Sequence, residues 1–150
     1  PYFGASGVVD RVQDALFNED LLLISEDGAN LISRSTPIAF SITGPSWVNN
    51  HAHVLRFENP VDREYVEMFI ESISIAPWVT GTAQPKLNQK ALNEIPIVFP
   101  KSDEERAKVV AKYRAGSLLI ADMQAIGRRR SFLHERLWQK VSTAVLSGAT

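Results

Sequence analysis

The sequence predicts an α+β fold: a small mixed or antiparallel β-rich domain over residues 1–100, followed by a long coiled-coil-type helix over residues 101–150. Three observations carry this expectation. The first 60 residues break into short apolar runs separated by Gly, Pro and Asn, the punctuation of strands and turns. A single stretch after Asn59-Pro60 changes to helical period. The tail beyond Pro100 contains no proline, and its only glycines before Leu146 are Gly116 and Gly127.

Taken in order, "DLLLISEDGANLIS" holds an apolar run from Leu21 to Ile24, then Glu26-Asp27-Gly28, then the pair Leu31-Ile32. An Asp-Gly step between two apolar runs predicts a tight strand reversal. "TPIAFSITGPSWVNNHAHVLRFENP" continues the strand pattern, with Gly44-Pro45 inside it and Asn59-Pro60 closing it. Tyr65, Val66, Phe69, Ile70 and Ile73 then form one stripe at period 3.6, with Asp62 as the expected N-cap. "IPIVFP", Ile95 to Pro100, reads as a short strand ended by proline.

The tail opens on Ser102-Asp-Glu-Glu105, the pattern of a capping box. Leu119, Met123, Ile126, Arg130, Leu133 and Leu137 follow at alternating steps of four and three, an a/d seam interrupted once by Arg130. A continuous helix of roughly 45 residues would be about 67 Å long. One globular domain cannot bury such a rod, so it calls for a second helix. The alternative is two shorter helices bent at Gly116 or Gly127, where interior glycine is costly.

Composition sets bounds on function. There is no Cys, which removes disulfides and thiolate metal sites and fits a cytoplasmic protein. No apolar run is long enough to cross a bilayer, so no membrane partner is expected. The start "PYFGASGVV" lacks a signal-peptide layout and an initiator Met, and reads as a fragment of something longer. The net charge of -1 announces no polyanion partner, but its distribution is uneven. Residues 79–93 carry two Lys and no acid, and Arg128-Arg129-Arg130 forms a second basic cluster. A nucleic-acid partner would meet a basic face rather than a basic whole.

Motifs for chemistry are sparse. His51-Ala-His53 places two imidazoles on one strand face, where they could share a metal, but no third ligand follows at a suggestive spacing. Hydrogen-bonded strand histidines are the better reading, and a metal-dependent enzyme using this pair is the weaker one. No nucleophile elbow, Walker loop or dinucleotide fingerprint occurs. Asp62 and Glu64 sit where acids favour a helix start. No methyltransferase or nuclease motif for chemistry on DNA is present, so the chain carries no expected catalytic residue. What stands out is "TGTAQPKLNQKALNEIPI", Thr80 to Ile97, rich in donors suited to phosphates and base edges, with Gly81 for close approach. Asn88 can cap a short helix starting near Gln89. A loop knitted by its own Thr and Asn hydrogen bonds explains the same composition.

Four segments, "YFGASGVVD", "LLISEDGANLISR", "PIAFSITGPSWVNNHAHVL" and "TGTAQPKLNQKALNEIPIVFP", in that order, closely resemble a target recognition domain of the DNA-specificity (S) subunit of type I restriction–modification systems. The likeness runs from Tyr2 to about Lys112, and the helix after "SDEERAKVV" resembles the family's long helix. The resemblance implies a non-catalytic protein that reads one half of a bipartite site in double-stranded DNA. It further implies that the helix spaces the half-sites and docks DNA methyltransferase subunits, which restriction subunits can join. The chain itself would hold no cofactor; the partner methyltransferase would use S-adenosylmethionine. Residues 1–100 would be the DNA-reading domain, N-terminally incomplete against the family pattern. Residues 101–150 would be the spacer and dimerisation segment, self-associating or pairing with another helix. The motif carries over to Gly28, Ala29, Asn30, Arg34, Asn49, Asn50 and His51 and to Thr80 through Asn88. Lys86, Gln84, Thr82 and Lys90 are the implied phosphate contacts, with Thr80, Asn88, Arg34 and His51 as further DNA-binding candidates. An interaction module that sequesters the methyltransferase without reading DNA is the alternative.

Overall fold

A computed structural model describes residues 1–146, with side chains through Lys140. Seven short strands lie between Tyr2 and Leu55: β1 (Tyr2–Gly4), β2 (Gly7–Asp10), β3 (Phe17–Asn18), β4 (Leu21–Ser25), β5 (Ala39–Ile42), β6 (Pro45–Val48) and β7 (Ala52–Leu55). They form two sheets, ordered β2-β1-β6-β3 and β5-β4-β7. Pairing is antiparallel except between β1 and β6, so the first sheet is mixed. The helices are α1 (Asn30–Ser33), α2 (Pro60–Ser72), α3 (Gln89–Asn93) and α4 (Asp103–Leu146), with a 3-10 turn at Ala76–Trp78. The α+β class expected from the sequence is what the chain adopts.

β4 explains why the domain has three layers. All five of its residues are buried, and successive side chains of a strand point to opposite faces. Leu22 and Ile24 join Leu31, Ile38, Val66 and Ile70 on the face covered by α2, while Leu21 and Leu23 meet Ile42, Val48, Phe3 and Phe17 on the face covered by the mixed sheet. A continuous apolar run, rather than alternation, is what a strand buried on both sides requires. Glu71 fastens α2 to the sheet: its Oε1 accepts from the amides of Ile38 and Ala39, each at 2.8 Å.

Three local expectations are overturned. The Asp27-Gly28 step does not reverse β4 into a paired strand. Gly28 does take a positive φ of 106°, but the chain then winds into α1, with Leu31 buried and Ile32 exposed. A two-residue apolar pair is too short to set a period, and β5 takes the place beside β4. The N-cap of α2 is Asn59, whose side chain accepts from the Val61 amide at 2.9 Å; Pro60 takes the first helical position, where its missing N–H costs nothing. Asp62 falls in the first turn. Residues Ile95 to Pro100 are not a strand. Pro96 and Pro100 withhold two ladder donors, and the segment is held instead by side chains: Ile95 is buried and the Tyr65 hydroxyl donates to the Val98 carbonyl at 2.6 Å.

α4 runs unbroken through Gly116 and Gly127. Its start uses half of the expected capping box, the Glu105 amide donating to Ser102 Oγ at 3.2 Å. The chain divides into compact units at residues 1–110 and 111–150. Within the first, Arg106 is buried, pairs with Asp62 at 2.6 Å and with Asp103, and donates to the Pro100 carbonyl. Within the second, Leu119, Met123, Ile126, Leu133 and Leu137 all stand exposed. Among the described residues no helix is long and apolar enough to cross a membrane.

Candidate functional site

Three sequence segments far apart in the chain meet beyond the end of β4. The Glu26 amide donates to the His51 carbonyl at 2.9 Å, the Leu87 amide to the Glu26 carbonyl at 2.7 Å, and the Gly28 amide to the Pro85 carbonyl at 3.0 Å. Leu87, fully buried, pins the last segment to the core. The stretch from Thr80 to Lys86 closes on itself through reciprocal backbone hydrogen bonds of 2.9 and 2.8 Å, and Thr80 Oγ1 adds a 3.3 Å bond to the Lys86 carbonyl. Asn88 caps α3 by accepting from the Ala91 amide at 3.0 Å.

Gly81 makes this loop possible. Its φ is 81°, and a Cβ there would lie 2.5 Å from the Gln84 carbonyl oxygen. Gly81→Ala would therefore meet both left-handed strain of about 1–2 kcal/mol and a backbone collision. We expect hydrogen exchange at the Lys86 amide to accelerate at least tenfold, with β4 amides unaffected; unchanged exchange at Lys86 would rule out this account of the loop.

The basic side chains here are not free. Lys86 Nζ lies 3.0 Å from Glu26 Oε1, and His51 Nδ1 lies 2.7 Å from Asp27 Oδ2. The hydrogen bond and charge of Glu26 hold the Lys86 ammonium above its usual 10.5. The contribution of the Lys86 charge is thus fully present at neutral pH and is lost as pH rises through the raised value. His53 donates from Nε2 to the Leu87 carbonyl at 2.7 Å, and the His51 amide donates to Asn49 Oδ1 at 2.9 Å. The two imidazoles are thus engaged separately, and among the described residues no three His, Asp or Glu side chains gather as metal ligands.

Of the eight candidates, Thr80, Lys86, Asn88 and His51 are brought together and given structural partners. Thr82, Gln84 and Lys90 project from the same segment, exposed and without a side-chain partner among the described residues. Arg34 is employed elsewhere. It ends α1 in the left-handed conformation, and its Nη2 donates to the carbonyls of Ile70, Glu71 and Ile73 at 2.9, 2.9 and 3.0 Å, closing the C-terminus of α2. Glu26 and Asp27 escaped the sequence reading; the signal was there in two acids standing in a motif whose companions carry Lys86 and His51.

A sequence model of the family described as "Type I restriction modification DNA specificity domain" matches residues 1–115. The chain belongs to that family. It is also 28% identical over 100 residues to a putative type I restriction enzyme specificity subunit, S.HindORF215P, of Haemophilus influenzae. That alignment covers 67% of this chain and 26% of the relative, so the chain spans about a quarter of that protein's length. All three converging segments lie inside the matched region.

Proposed function

We propose that this chain recognises DNA sequence as the specificity component of a type I restriction–modification complex, reading one half-site and docking the methyltransferase. Membership of the family over residues 1–115 carries the reading. In it, residues 1–100 read DNA and residues 101–150 are the spacer segment, of which 147–150 lie outside the described residues. The chain performs no catalysis and holds no cofactor; S-adenosylmethionine belongs to the methyltransferase, which restriction subunits can join. The complex works in the cytoplasm, where its duplex target lies.

The side chains offered to phosphates are those with nothing else to bind: Thr82, Gln84 and Lys90. Lys86 and His51, each facing a carboxylate, hold that surface in shape. Lys90→Glu and Lys86→Glu separate the two roles. Binding of the chain with its cognate methyltransferase to a randomised duplex pool is followed across a salt series. We expect a short motif to be enriched. Lys90→Glu should weaken binding about tenfold and lower the salt slope by about one, with the motif unchanged, because a phosphate contact carries no sequence information. Lys86→Glu brings a third carboxylate beside Glu26 and Asp27, and should scramble the motif. No enrichment at any salt, with the methyltransferase still bound, would replace DNA reading by the sequestering module.

A further inference from the structure

Where the uncompensated positive charge lies is unexpected. In residues 1–110, Arg56 pairs with Glu19, Arg63 with Asp20, Lys86 with Glu26, Arg106 with Asp62 and Lys108 with Glu104, while Arg34 is used on backbone carbonyls. Only Arg11, Lys90 and Lys101 are left there without an ion pair among the described residues. Residues 128–140 of α4 are the reverse: Arg128, Arg129, Arg130, Arg136 and Lys140 stand against the single acid Glu135. Among the described residues none of these has an ion pair, and Arg136 lies 5.7 Å from the centre of the Phe132 ring.

The arrangement is a face, not a scatter. At 3.6 residues per turn, Arg128, Arg129, Arg136 and Lys140 fall within about a third of the helix circumference. The apolar seam of Ile126, Leu133 and Leu137 lies beside that arc, so pairing of the seam with another helix would leave the arc open. Arg130 alone of the group sits in the seam. From Arg128 to Lys140 the face extends about 18 Å, and each guanidinium can grip a phosphate bidentately.

We infer that Arg128, Arg129, Arg136 and Lys140 form a sequence-independent contact for the phosphate backbone of a DNA duplex, supplying much of the electrostatic affinity of the chain. This rests on the DNA reading proposed above for the family domain. It divides the work: the domain of residues 1–100 chooses the sequence, and the helix face holds the polyanion.

The triple variant Arg128→Gln, Arg129→Gln, Arg136→Gln tests it, because Gln keeps helix propensity and the changed positions are exposed. The 150-residue chain, with and without the methyltransferase, is titrated with the enriched duplex and with a random duplex across salt, and helix content is followed by circular dichroism. We expect unchanged helicity, unchanged enrichment, binding at least tenfold weaker on both duplexes, and a salt slope reduced by about two to three. Wild-type affinity and slope in the variant would overturn the inference. So would loss of methyltransferase association with DNA binding by the chain alone unchanged, which would assign the face to an acidic protein surface. If no motif is enriched but random-duplex binding still falls in the variant, the helix contact stands and sequence reading fails.

Discussion

Arg34→Ala should be among the most destabilising single substitutions in the domain, lowering the unfolding free energy by on the order of 3 kcal/mol. The side chain bonds the carbonyls of Ile70, Glu71 and Ile73, groups that the end of an α-helix leaves without internal partners. A guanidinium placed there satisfies them and opposes the negative end of the helix dipole. Removing it strands partly buried acceptors and loosens α2, whose Val66 and Ile70 close the core over Leu22 and Ile24. Arg34→Lys keeps the charge but not the fork, and should recover only part of the loss. Urea unfolding followed by tryptophan fluorescence gives the midpoint for all three proteins. An unchanged midpoint combined with weakened DNA binding would return Arg34 to the phosphate contacts that the family resemblance implied.

That residue shows where sequence reading reaches and where it stops. Helices α2 and α4 were legible because a stripe at period 3.6 or 3.5 repeats over many residues and belongs to the chain locally. β4 was legible as a strand because Leu21 to Ile24 can be satisfied only by burial. The short α1 was not legible: four residues carry no period, and what ends it is Arg34 in a left-handed conformation, its guanidinium held by the distant α2 carbonyls. The same limit hid the pairing of Glu26 with Lys86, 60 positions apart, and of Asp27 with His51, 24 apart. The sequence shows an inventory of charges, and only the fold says which cancel. Basic residues in a motif therefore overstated the positive surface of the loops, while Arg128-Arg129-Arg130, noted only as a cluster, keeps its charge.

The other large effect should come from the seam of α4. Leu133→Glu together with Leu137→Glu is expected to abolish self-association, raising the dissociation constant at least 100-fold, while leaving the unfolding of residues 1–110 unchanged. Ile126 is 69% exposed and Leu137 62%, values that apolar side chains on a 44-residue helix do not keep if a partner is at hand. Each such side chain gains about 2 kcal/mol on burial, and the steps of four and three between Leu119 and Leu137 put them on one line. Two carboxylates inserted in that line would have to be buried unpaired or keep the helices apart. Arg130, already in the seam, limits the pairing and favours a register that gives its guanidinium an acid or water. Sedimentation equilibrium over a micromolar concentration series reads the mass directly. A wild-type chain that stays monomeric throughout would remove self-pairing and leave a different protein's helix as the occupant. Loss of association in the Arg128, Arg129 and Arg136 triple variant would mean that the basic face, not the apolar line, is the joint.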